Sequence, residues 1–145
     1  MRPLLKLCSL LAALANVHPA WAQQWFSLSG RDTGPDATVV EIDLQTLHLR
    51  EGSGEAVIRV TYDVLQPHPA GFGYRSFVAT ASIDCPRRVV GLASAAYFAQ
   101  PAAQGTRVGA DSVGRDQGMP QRILESVPAH AKQALLRAAC PPGAP

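Results

Sequence analysis

Two central stretches of the chain alternate apolar and polar side chains with a period of two. In residues 56–65, Ala56, Ile58, Val60, Tyr62 and Val64 face one way, while Val57, Arg59, Thr61, Asp63 and Leu65 face the other. In residues 74–85, Arg75, Phe77, Ala79, Ala81, Ile83 and Cys85 share one face. This period is the mark of half-buried β-strands. Pro67 to Gly73 between them is a Pro/Gly loop, and Pro86 ends the second run because it has no amide proton to give a ladder. Weaker β-like runs flank the pair. Residues 25–28 read as a short first strand with Trp25 as a core anchor. Residues 38–44 carry Val39, Val40, Ile42 and Leu44, and residues 47–50 either continue that strand or form a separate one. Residues 88–99 follow the second alternating run, and Arg107 and Val108 add a short last strand. Turn-rich segments at 30–37 and 51–54 separate the early strands.

The period changes only near the C-terminus. Val127, Pro128 and Ala129 open a helix, with Pro at a tolerated first-turn position. Ala131, Leu135 and Ala138 share an apolar side, Leu136 and Cys140 lie beside it, and Pro141 and Pro142 stop the helix. Residues 100–121, rich in Gly, Pro, Gln and Ala, form a long connection, and 141–145 a disordered tail. Strands first, one helix last, with short turns between, predict an α+β fold: an antiparallel sheet of about six strands with one C-terminal helix packed on or beside it.

The first 22 residues belong to no element of that fold. Arg2 and Lys6 precede an uncharged apolar run over 7–15, and Pro19, Ala20, Trp21 and Ala22 end in a small-x-small pattern. This is a Sec-type signal peptide with cleavage expected between Ala22 and Gln23. The apolar run is too short for a bilayer, which needs roughly 20 residues, and no later stretch is a transmembrane candidate. The domain is therefore 23–140, exported to the periplasm, cell surface or medium. Cleavage removes two of the 13 Lys and Arg side chains, leaving 11 positive against 11 negative ones. A neutral domain has no global field to gather nucleic acid.

Cleavage also removes Cys8, so Cys85 and Cys140 remain as one expected disulfide between the end of a strand and the end of the helix. Such a loop is worth about 4 kcal/mol in chain entropy. Two cysteines with no His at ligand spacing make no structural zinc site. His48, His68 and His130 stand in separate contexts; HExxH and G-x-S-x-G are absent. No catalytic, cofactor or metal residues are assigned. Asp43 and Asp84 sit among apolar strand residues at strand ends, or pair with Arg75, Arg87 or Arg88. The candidate contact surface is the 67–73 loop with Phe72, Tyr74 and Arg75, together with Arg87 and Arg88, because Tyr and Arg dominate binding hot spots. Phe77 faces away from Tyr74 in this alternation, and at least one of the two belongs to the core.

A set of short motifs has a familiar order. Trp25 near the mature start is followed by Val40-Glu41-Ile42-Asp43-Leu44, Tyr74-Arg75-Ser76 and Ile83-Asp84-Cys85, then Tyr97-Phe98, Gly105 and Ala139-Cys140. Over most of residues 25–140 the chain resembles the bacterial surface-adhesin protein E-like family. The resemblance implies a twisted antiparallel sheet whose C-terminal helix is tethered by a disulfide. It also implies adhesion to host extracellular-matrix and serum proteins, in some cases as a dimer. The chain departs from the family in lacking a lipid-anchor cysteine at the expected place and in lacking a Lys-rich stretch, with only Lys132 in the domain. The functional reading is an exported, non-catalytic, adhesin-like binding module working through a sheet face or edge and adjacent loops. An unpaired sheet edge could also recruit a second copy. The alternatives are a periplasmic structural or accessory protein of the envelope, and a small periplasmic hydrolase with His68 or His130 as base. The hydrolase requires a His within hydrogen-bond reach of both a Ser and a carboxylate.

Overall fold

The computed structural model describes residues 24–28, 38–112, 127, 129–140 and 142. The expected leader, the 30–37 connection, all of residues 113–126, Pro128, the His130 side chain and most of the tail lie outside the described residues. Among the described residues six strands follow one another: β1 (Trp25–Ser27), β2 (Thr38–Arg50), β3 (Ser53–Pro67), β4 (Gly73–Asp84), β5 (Val89–Phe98) and β6 (Arg107–Ser112). They pair in sequence order, every neighbour antiparallel. Glu51 and Gly52 both take positive φ (51° and 79°) between β2 and β3, the backbone a two-residue hairpin turn needs to match strand twist.

One face of the sheet carries the core. Val40 and Ile42, Ala56, Ile58 and Val60, Phe77, Ala79, Ala81 and Ile83, and Val90, Leu92 and Ala95 are all buried. The helix α1 (Ala129–Ala139) covers this face. Its Ala131, Leu135, Leu136 and Ala139 are buried with Val127, and Val127, Ala131, Lys132 and Leu135 line one tight apolar space with Leu28, Val40, Ile58, Val90 and Leu92. The Cys85–Cys140 disulfide joins the helix end to the end of β4, with the Cα atoms 5.5 Å apart. The expected α+β architecture and bridge are both present.

Two ladder irregularities depart from simple alternation. Between Asp43↔Val57 and His48↔Glu55, β2 advances five residues against two of β3. The cause is local: the Gln45 N–H donates to Asp43 Oδ1 (3.0 Å), and the Thr46 hydroxyl donates to Asp43 O (2.8 Å) while accepting the Val57 N–H (2.8 Å). An Asp holding the amide two residues on is an Asx turn, and here it is set inside a strand. Residues 47–50 are thus a continuation of β2 beyond a bulge. A matching irregularity lies between Thr61↔Ser76 and Gln66↔Tyr74, where β3 spends five residues against two of β4.

Trp25 is not a core anchor. It pairs with Asp43 on the face away from the helix, and the Arg59 guanidinium lies 4.3 Å from its ring centroid. Arg59 also holds Glu41 at 2.7 Å and donates to Ala102 O at 3.3 Å. Ala102 belongs to a 3₁₀ turn (Pro101–Ala103) that folds over this face. The turn is held by the Ala102 N–H on Thr61 Oγ1 (3.2 Å) and the Ala103 N–H on Ser76 Oγ (2.9 Å), with the Ser76 hydroxyl donating to Gln100 O. Ser76 is consequently fully buried although polar.

Candidate functional site

The β3–β4 hairpin tip is built around His68. Its backbone N–H donates to Phe72 O (2.8 Å), and its carbonyl accepts the Gly71 N–H (2.9 Å). Gly71 holds φ +89°, a conformation open to glycine and strained for other residues. The His68 ring accepts the Ala70 N–H at Nδ1 (3.2 Å) and lies 3.1 Å from Asp111 Oδ2 through Nε2. Acceptance at Nδ1 places the neutral ring's proton on Nε2, which donates to the carboxylate. Tyr97 Oη donates to the same Oδ2 at 2.9 Å. Burial, and then the bond to Asp111, push the Tyr97 phenol well above its ordinary value, so it remains a donor. Burial does the same to Tyr62, with Tyr74 adding to it.

Aromatic rings fill the space beneath the tip. His68 stacks on Phe72 (centroids 4.2 Å apart, planes 8° apart) and meets Tyr97 at 4.7 Å. Tyr74 meets Tyr97 at 4.8 Å, Tyr62 at 5.9 Å and Phe77 at 6.3 Å, all edge-on. The Phe72 ring lies over Gly109 of β6, where a Cβ would fall 2.3 Å from its Cζ. The hairpin is therefore clamped to the edge strand by one polar contact and one ring seated on a glycine.

This arrangement redistributes the candidate contact residues. Tyr74 is buried, 6 % exposed, in contact with Phe77 rather than on an opposite face. Simple alternation fails there because the ladder is irregular between Tyr74 and Ser76. Phe72 is half-buried as a clamp, with one side reaching solvent. Arg75 is half-buried; its Nη2 donates to Asp63 O and its Nε is buried without a partner. Arg87 and Arg88 are exposed at the other end of β4, roughly 40 Å away at the usual strand rise. Arg87 is tied to Asp84 through its N–H (2.9 Å to Oδ1) and more loosely through its guanidinium (3.6 Å). It borders a broad depression of about 790 Å³ with Glu55, Ser82 and Asp84. The Asp43 carboxylate is engaged by the Gln45 backbone N–H, not by an arginine.

What projects at the tip instead is apolar. Val64 and Leu65 are 41 % and 64 % exposed. Leu65 leans beside Gly73, its Cδ2 occupying the space a Cβ there would need. With Pro67, His68, Gly71 and Phe72 it borders a notch of about 350 Å³. From Val64 through Tyr74 there is no Asp, Glu, Lys or Arg. The alternation carried one signal of this, since it placed Leu65 on the polar face with Arg59, Thr61 and Asp63. Nothing local announced Asp111 as the partner of a His 43 positions away.

Both ring nitrogens of His68 are engaged by Asp111 and the Ala70 N–H, so the Ser–His–carboxylate arrangement is not formed around this residue. Among the described residues no cluster of three His, Cys, Asp or Glu side chains could hold a metal ion, and no helix is long and apolar enough to cross a membrane. Comparison with curated proteins and with solved structures finds no match. The family described as surface-adhesin protein E matches residues 25–141, from β1 to just past Cys140. Sheet order, helix and bridge agree with that match across the same span, and the chain belongs to the surface-adhesin protein E family.

Proposed function

We propose that the protein is exported and acts as a non-catalytic binding module of the adhesin kind. The β3–β4 hairpin tip is its main contact element, and host extracellular-matrix or serum proteins are its partners. The observation that carries this reading is the uncharged, projecting tip with Val64 and Leu65 exposed. The tip is held rigid from below by the His68–Asp111 contact and the seated Phe72 ring. A rigid apolar projection loses little conformational freedom on docking, which favours affinity, and exposed apolar side chains set together mark interaction sites. Phe72 forms the inner rim of this surface and Arg75 its base. Tyr74 supports it from within. Arg87 and Arg88 form a separate, polar surface.

The reading is tested on a panel of immobilised matrix and serum proteins, together with antibody labelling of intact and permeabilised cells. Binding that drops at least tenfold in Leu65→Ser, with unchanged thermal stability, is the expected result. Labelling only after permeabilisation, with no binding on the panel, would transfer the protein to a structural role inside the envelope.

A further inference from the structure

We propose that His68 is a proton-operated switch in the hairpin tip: a proton taken up at Nδ1 expels the Ala70 amide while the ring's hold on β6 tightens. The two ring nitrogens already do different work. Nδ1 accepts the Ala70 N–H at 3.2 Å, and Nε2 donates to Asp111 Oδ2 at 3.1 Å. A proton from solvent binds the Nδ1 lone pair, because Nε2 already carries one. The Ala70 N–H then faces a second donor and must turn away. The other side of the ring gains, since a charged donor on a carboxylate makes a stronger bond than a neutral one. Phe72, stacked on the ring at 4.2 Å, also favours the cation. Imidazole is the side chain whose charge changes between about pH 5 and 8.

The surroundings of the ring favour this division. The titratable groups that face it are Asp111 from β6, Tyr97 from β5 and Tyr74 from β4. Tyr97 donates to the same Asp111 oxygen and so leaves the carboxylate free to hold the charged ring. Its own hairpin brings no Asp, Glu, Lys or Arg between Val64 and Tyr74. Among the described residues no Lys or Arg pairs with Asp111. The crown of the turn has room to shift: Ala70 is exposed, and a Cβ at Gly71 would meet nothing within 4 Å. Gly71 lines the notch beside Leu65, so acid reshapes that surface. This last consequence rests on the contact role proposed above, whereas the switch itself needs no partner.

The test is a nuclear magnetic resonance titration of the full chain from about pH 8 to 5, with no partner present. The neutral ring is expected to carry its proton on Nε2. As the ring charges, the Ala70 amide proton should move upfield and take on the temperature dependence of a water-bonded amide. The cross-peaks between the Phe72 ring and Gly109, which report the ring seated on the glycine, should persist throughout. An Ala70 amide that does not move while His68 charges overturns the proposal, as does a ring that stays neutral until the sheet unfolds. Loss of the Phe72–Gly109 cross-peaks in acid would show the clamp opening instead of tightening, and overturns it as well. In His68→Gln the Ala70 amide should no longer respond over this range, and a response that remains belongs to another group and refutes the assignment. The wild-type titration decides without that variant. Because it reads conformation alone, absence of binding on the matrix and serum panel would leave the switch standing.

Discussion

Replacing Cys85 or Cys140 with Ser opens the covalent tie between α1 and the sheet, and the structure says what should then happen. The bridge closes a separation of 55 positions, for which chain entropy gives about 4 kcal/mol. For a domain of this size that corresponds to a fall of roughly 15 °C in melting temperature. The loss should concentrate in α1. The helix has 11 residues, short of the roughly 12–15 at which an isolated helix becomes even marginal. Its large buried side chains are Leu135 and Leu136. The expected outcome is a sheet that persists by circular dichroism while amide protection in α1 collapses. Leu135→Ala then becomes a probe of docking. With the bridge intact it should cost about 2–5 kcal/mol; in a Cys85→Ser background it should cost less than about 1 kcal/mol, because Leu135 has already left the core. Both single Cys variants and the double variant should lose stability equally in thermal unfolding. The reasoning is refuted if the single losses add, or if Leu135→Ala costs the same with and without the bridge.

Three further outcomes are expected. Ala102 and Ala103 hold left-handed backbone (φ 56° and 59°), which costs an L-residue about 1–2 kcal/mol. After the unfolded-state cost of glycine, Ala102→Gly should therefore stabilise by about 0.5–1 kcal/mol in denaturant titration, and a loss would show that the turn does not hold this conformation. Arg59→Ala strips Glu41 of its partner and Trp25 of its covering cation. In this half-buried setting it should cost about 1–3 kcal/mol, with a red shift in Trp25 emission; unchanged emission would contradict the cation–π geometry. Tyr97 binds its proton more tightly folded than unfolded, so its contribution to stability is complete below the ordinary phenol value near 10 and falls as pH rises above it. Tyr97→Phe should flatten that alkaline decline in stability measured from pH 8 to 11, and an unchanged slope would sink the assignment.

The architecture was legible because its causes are local. The alternation of residues 56–65 and 74–85 and the break at Pro86 locate the two central strands, and the shift to helical spacing near Leu135 locates α1. The bridge followed once Cys8, which lies in the expected leader, was set aside. The misplacements have a common origin in ladder irregularities. Asp43, read as a strand-end acid or ion-pair partner, instead folds an Asx turn into β2 and carries residues 47–50 onward in the same strand. The irregularity opposite Tyr74 brings that ring into the core with Phe77, where a strict period of two sets them apart. Trp25 was read as a core anchor of the first strand, yet an edge strand of three residues left it facing Arg59. The left-handed pair Ala102–Ala103 gave no warning, because turn signals in sequence are written in Gly and Asn. The His68–Asp111 clamp joins elements whose only common property is their position at one end of the sheet.

Because every strand is hydrogen-bonded to its neighbour in sequence, the sheet can assemble as a succession of short hairpin closures, a topology that speeds folding. The closure from Cys85 to Cys140 is of another kind, since it joins positions 55 residues apart. Oxidation thus has its natural place after the sheet: the sheet presents Cys85 at the end of a finished strand, and α1, which follows the strands in the chain, delivers Cys140 to it. An oxidant that acts after the sheet forms finds the two thiols already aligned, which leaves isomerase chemistry little to correct.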